Sequence, residues 1–155
     1  MHEEFLRRAI LLAAENARQG RGGPFGALIV LGGEVIAEGA NHVTADLDPT
    51  AHAEIVAIRA ACRRLRRFDL RGASIYSSCE PCPMCLGAIY WARLDALYYA
   101  AGREDAARAG FDDSFLYEQF ALPEPQRSLP IRRMPLKEAS LPFQAWLSSA
   151  HRIPY

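Results

Sequence analysis

Phe25-Gly26-Ala27-Leu28-Ile29-Val30-Leu31-Gly32-Gly33-Glu34-Val35-Ile36-Ala37-Glu38-Gly39-Ala40-Asn41 decides the fold class. Two β-rich runs, Phe25 to Leu31 and Val35 to Asn41, flank a Gly-Gly pair. Glycine supplies the positive φ of a tight hairpin turn. Upstream, Glu4 to Arg18 reads as a helix with a broad apolar face: Phe5, Leu6, Ala9, Ile10, Leu12, Ala13 and Ala17. Gln19-Gly20-Arg21-Gly22-Gly23-Pro24 stops it. Downstream, helices are expected over Ala51 to Arg66 and Met84 to Ala92, and strands over Ala73 to Ser77 and Ala96 to Ala100. Asp113 to Phe120 reads as helical. A proline-punctuated stretch follows with a strand expected at Ile131 to Met134, and a helix over Leu141 to His151 closes the chain. Helix, hairpin, then strands alternating with helices describe an α/β fold: a three-layer α/β/α sandwich with a mixed sheet flanked by helices.

The chain has 155 residues, half of them apolar, which suits one domain around one core. Its formal net charge is zero, so there is no electrostatic reason to expect bulk nucleic acid as a partner. No run of about 18 apolar residues predicts a membrane span. Met1-His2-Glu3-Glu4 lacks the basic and apolar regions of a signal peptide, and a cytoplasmic location is expected by default. Arg63-Arg64-Leu65-Arg66-Arg67 is a local basic run at a helix end, where cations complement the dipole; a solvated helix end is the better reading than a phosphate-binding patch.

Two fragments carry chemistry, His52-Ala53-Glu54 and Pro81-Cys82-Pro83-Met84-Cys85, each opening a predicted helix. Cys82 and Cys85 are three apart and share one helix face. The helix N-terminus favours the thiolate that binds metal. His52 and Glu54 are two apart, about 200° around a regular helix. Both face one metal only if His52 precedes the helix proper, and Asp48-Pro49-Thr50 fits such a start. Three protein ligands leave a fourth position for water, the mark of a catalytic zinc rather than a structural one. Zinc brings the pKa of such a water towards about 7, and Glu54 can carry the proton to a leaving nitrogen. Either fragment alone is weak. Together they match the known zinc-deaminase signature H-x-E…P-C-x-x-C. A structural zinc would want a fourth ligand, and the one candidate, Cys79, is cut off from Cys82 by Glu80-Pro81. Cys62 reads as a core thiol.

The sequence resembles the cytidine deaminase-like superfamily, and within it the bacterial guanine deaminases. The resemblance rests on Gly22-Gly23-Pro24-Phe25-Gly26-Ala27, Asn41, Asp48 to Glu54, and Ser78-Cys79-Glu80-Pro81-Cys82-Pro83-Met84-Cys85-Leu86-Gly87-Ala88-Ile89-Tyr90-Trp91-Ala92-Arg93. It continues through Ala109-Gly110-Phe111-Asp112-Asp113-Ser114-Phe115, Pro142-Phe143-Gln144-Ala145-Trp146 and a terminal Tyr155, and so covers essentially the whole chain. The first half is shared with many deaminases, including those of tRNA adenosine; the Gly-Phe-Asp-Asp-Ser-Phe segment and the tail look specific to guanine deaminases.

The resemblance implies one zinc per subunit on His52, Cys82 and Cys85, with Glu54 catalytic. It implies a homodimer in which a C-terminal tail, about 136–155, is exchanged between subunits of a single 1–155 domain. It also implies hydrolysis of guanine to xanthine and ammonia, in purine catabolism or salvage. Phe25, Asn41, Ala53, Trp91, Asp113 and Tyr155 then meet the base, Asp113 carrying protons as well. On residue chemistry, a carboxylate suits the paired N–H donors of guanine, and contact is the better reading than Asp112-Asp113-Ser114 merely capping the next helix. Asn41 alone could equally satisfy a turn, and without the resemblance Phe25 and Trp91 read as core. Competing readings are a deaminase of guanosine, cytosine or tRNA adenosine, and a zinc-stabilised binding module without activity.

Overall fold

A computed structural model describes residues 1–155. The chain divides into two compact units, Met1–Ser114 and Phe115–Tyr155. The first opens with α1 (His2–Arg18), whose buried or half-buried side chains Phe5, Leu6, Ala9, Leu12 and Ala13 fall at helical spacing. The hairpin follows as β1 (Gly26–Leu31) and β2 (Glu34–Ala40), with Gly32 and Gly33 at φ of 60° and 84°. Then come α2 (Ala53–Leu65), β3 (Ala73–Cys79), α3 (Pro83–Trp91), β4 (Ala96–Ala101) and α4 (Arg103–Arg108).

The sheet runs β2-β1-β3-β4. β1 is antiparallel to both β2 and β3, while β3 and β4 are parallel across α3, so the sheet is mixed, as expected. The strand period of two sorts the side chains. Ala27, Ile29, Ile36 and Ile75 pack with Ala53, Ala57 and Ala61 of α2 and Ile89 of α3. Leu28, Val30 and Tyr76 point the other way and pack with Ala9 of α1. Three layers result. Each fully buried Leu or Ile is worth ~1.5–3 kcal/mol of apolar burial.

Small residues let the helices lie directly on the sheet. A Cβ at Gly39 would stand 2.1 Å from the Ala53 carbonyl oxygen and 2.5 Å from the Ala57 nitrogen. This close approach fixes the first turn of α2, and the site begins there.

Several expectations shift. α2 begins at Ala53 rather than Ala51, because the preceding residues form a turn: Asp48 Oδ1 accepts from the Thr50 N–H at 2.8 Å, and His52 N–H donates to the Thr50 carbonyl. α4 was not foreseen. It is one and a half turns of polar and alanine residues without an apolar stripe, held at its start by Gly102 N–H donating to Asp105 Oδ2 at 2.9 Å.

The second unit carries most of α5 (Ser114–Ala121), two single 3₁₀ turns at Glu124–Gln126 and Lys137–Ser140, and α6 (Leu141–Ser148). The strand expected at Ile131 to Met134 does not form. Pro130 and Pro135 flank it, and its four residues are exposed without a strand partner. The last helix ends at Ser148 rather than His151. None of residues 115–155 is buried, and Phe143, Leu147 and Ile153 are at least 65% exposed. No helix of the chain is long and apolar enough to cross a membrane.

Candidate metal centre and catalytic site

Two helix starts face each other. His52 is the N-cap of α2, with extended backbone at φ −67° and ψ 155°. The non-helical start that lets His52 and Glu54 share a side is therefore present. Cys82 is the N-cap of α3, also extended, and Pro83 occupies the first helical position. Cys85 lies one turn further in and is fully buried. His52 Nδ1 stands 3.6 Å from Cys82 Sγ and 3.5 Å from Cys85 Sγ. The three donor atoms lie within 4.8 Å of one another.

These residues fit a zinc ion. A tetrahedron with zinc–sulfur and zinc–nitrogen bonds of about 2.3 and 2.0 Å has a nitrogen–sulfur edge of about 3.5 Å, and both observed edges match it. Without a cation the donors share protons. The Cys82 thiol is held down to about 4, chiefly by a hydrogen bond from Cys85 and further by His52. Cys85, holding that proton, is pushed far up. The Cys82 thiolate in turn raises His52. A cation among the three removes this competition and favours both thiolates.

Glu54 is buried beside the triad. Its Oε2 accepts from Cys85 Sγ at 3.5 Å and its Oε1 from the Ser77 hydroxyl at 3.3 Å. Burial raises its pKa above the usual carboxylate range, with the Cys82 charge adding to the effect. A buried carboxyl with raised proton affinity is suited to take a proton and give it back.

The two aspartates divide their work. Asp112 Oδ1 accepts from the Ser114 N–H at 2.9 Å and caps the start of α5. Asp113 is half-buried, and burial raises its pKa; Arg103 opposes that, while the Cys82 charge reinforces it.

Asn41 follows β2 and is buried. His42 N–H donates to the Ala51 carbonyl at 2.9 Å, which ties this loop to the start of α2. Phe25 is half-buried and meets Phe111 edge to face at 5.0 Å. Ala53 is fully buried in the core behind the ligands. Trp91, at the far end of α3, is 68% exposed. Tyr155, in the second unit, is 75% exposed.

Two polar residues escaped the sequence reading. Ser77 looks like any strand serine until β3 places it under Glu54. Asn16 stands in register with Ala9 and Ala13 on the buried stripe of α1, and a polar residue on an apolar stripe is the signal that would have found it.

Residues 1–101 match the family model described as the cytidine and deoxycytidylate deaminase zinc-binding region. The chain belongs to this family of zinc deaminases. Family members similar to it include a guanine deaminase of Bacillus subtilis, 54% identical over 99% of both chains. The crystal structure of that enzyme superposes with a TM-score of 0.98, covering 100% of this chain and 99% of the other. A tRNA-specific adenosine deaminase of Agrobacterium fabrum is 46% identical over 59% of this chain and 60% of its own. A guanine deaminase structure from Nitrosomonas europaea matches at a TM-score of 0.65 and 32% identity, over 70% of this chain and 63% of that one. The Bacillus structure matches along the whole chain, the C-terminal unit included, whereas the Agrobacterium match spans 59% of it.

Proposed function

We propose that the chain is a guanine deaminase that hydrolyses guanine to xanthine and ammonia. The observation that carries this is Glu54, buried with its carboxylate oxygens between Ser77 and Cys85, beside the His52–Cys82–Cys85 triad. It stands in a chain similar from end to end to a guanine deaminase. A binding module has no use for a buried, proton-avid carboxyl at an open metal site.

Zinc held by the triad supplies the Lewis acidity that readies water at neutral pH. Glu54 takes a proton from the water that adds at C2 of the base and passes it to N3 as the C2=N3 double bond opens. It then takes the remaining proton of the added hydroxyl and gives it to the exocyclic nitrogen; the bond from C2 to that nitrogen breaks as the C2 carbonyl forms, and ammonia leaves. Asp113 accepts from the paired N–H groups at N1 and the 2-amino group. Asn41 offers its amide N–H₂ to an acceptor of the ring. Its Oδ1 already accepts from the Gly23 and Val43 N–H groups, both at 3.2 Å, so the amide is turned with nitrogen outward. Phe25 supplies an aromatic face to the pocket and Ala53 supports its floor; Trp91, exposed at the far end of α3, stands away from the ligand end of that helix.

The chain acts in this reading as one deaminase domain and as a homodimer. Residues 136–155 are exchanged, so that Tyr155 of each protomer closes the other's site. Support comes from the unburied apolar side chains of Phe143, Trp146, Leu147 and Ile153, which a monomer would leave in water. A cytoplasmic enzyme of purine catabolism or salvage follows from the substrate. The test is ammonia release from guanine, guanosine, adenine, cytosine and tRNA under one condition. Guanine is expected to react fastest; preference for any other member of the panel would displace the assignment.

A further inference from the structure

Asn16 is 4% exposed and lies in the last turn of α1, outside every motif described above. Its Nδ2 donates to two carbonyl oxygens at once, Gly23 and Asn41, each at 2.9 Å. Those carbonyls belong to two separate loops, one leading into Phe25 and one leaving β2. The network closes on itself. Gly23 accepts from Asn16 through its oxygen and donates through its N–H to Asn41 Oδ1. Asn41 N–H in turn donates to the Phe25 carbonyl at 3.1 Å. The packing leaves no slack: a Cβ at Gly22 would stand 2.0 Å from the Asn41 oxygen.

A helix is stiff, and a donor with both protons committed fixes what it holds. We infer that Asn16 is a positioning residue for the base. It clamps the Gly22-Gly23-Pro24-Phe25 loop to Asn41 and so sets the direction of the Asn41 amide. This rests on the reading in which Asn41 touches the substrate. An ordinary structural asparagine would hold the two loops together for stability alone. A positioning asparagine acts on substrate binding through Asn41, and the two roles separate kinetically.

The experiment is a double-mutant cycle on the zinc-loaded full-length protein with guanine as substrate, using Asn16→Ala, Asn41→Ala and both together. Asn16→Ala is expected to raise KM about tenfold, the worth of one lost hydrogen bond, with kcat within about threefold of wild type. In the Asn41→Ala background the same change is expected to leave KM unmoved, because the residue it acts through has gone. Asn16→Asp keeps the shape but turns an oxygen towards both carbonyls, so its KM is expected to rise at least as far as that of Asn16→Ala. It also serves as the reporter if Asn16→Ala does not fold. An Asn16→Ala or Asn16→Asp protein with altered thermal stability and unchanged KM would overturn the inference, as would KM effects that multiply in the double mutant. If Asn41→Ala alone leaves the KM for guanine unchanged, the Asn41 contact itself is wrong and the inference falls with it.

Discussion

Cys85 Sγ lies 3.5 Å from Glu54 Oε2, although 31 residues separate them in sequence. The contact joins the carboxyl proposed to move protons to a thiol placed where it could hold a metal. It separates two kinds of loss by mutation. Glu54→Gln keeps size and polarity and removes the carboxyl's ability to bind and release a proton. It is expected to retain zinc and fold and to lose at least the ~10²–10⁴-fold in kcat typical of an acid–base group. Near-normal turnover in this variant would show that another residue carries the proton.

Cys82→Ala and Cys85→Ala are expected to do the opposite and lose the metal. The wild type is expected to bind one zinc per chain, and chelation to lower its melting temperature, since metal binding adds to folding free energy. Metal analysis of the purified variants checks this. Full zinc in either variant would remove that cysteine from the ligand set.

The sequence made this centre legible because its chemistry is local. His-x-Glu and Pro-Cys-x-x-Cys each sit within one turn of a helix start, and the hairpin glycines announce the strands between them. Long-range partners were not legible. Ser77 acquires its role from β3 pairing beside β1, and Asn16 from the seating of α1 on two loops. Nothing in the local context of Ser77 marks its contact, and for Asn16 the one mark is its place on the buried stripe of α1. α4 was missed because six residues carry no period, and the strand at Ile131 to Met134 was expected from its β-branched and apolar residues without a neighbour to pair with. Strand propensity is a statement about packing, and an exposed segment has none.

Asp113→Ala is expected to weaken guanine turnover sharply while leaving stability nearly unchanged. Burial raises the pKa of Asp113. A carboxyl raised in the fold favours the protonated protein, so it subtracts stability as pH rises through and above its ordinary range. Alanine removes that loss. In the wild type adenine should fail, because its N1 is an acceptor and faces another acceptor; an unpaired buried polar group costs ~1–3 kcal/mol. Steady-state rates on both bases, with thermal melts at two pH values, check the prediction. Equal wild-type rates on adenine and guanine would refute it.

Deletion of His151 to Tyr155 is expected to spare zinc and to reduce guanine turnover. Refolding this truncated protein with Glu54→Gln protein is expected to restore part of the activity. In the mixed dimer an intact Glu54 site receives a whole tail from its partner. Mixed dimers that form without rescue would rule out an exchanged tail.

Running the reaction in heavy-oxygen water follows the oxygen that hydrolysis delivers to C2 of guanine. Guanine should be converted to xanthine with one ammonia released per base, and mass spectrometry should find one heavy oxygen in each xanthine formed. Guanine returned intact, or xanthine formed without the label, would contradict the account.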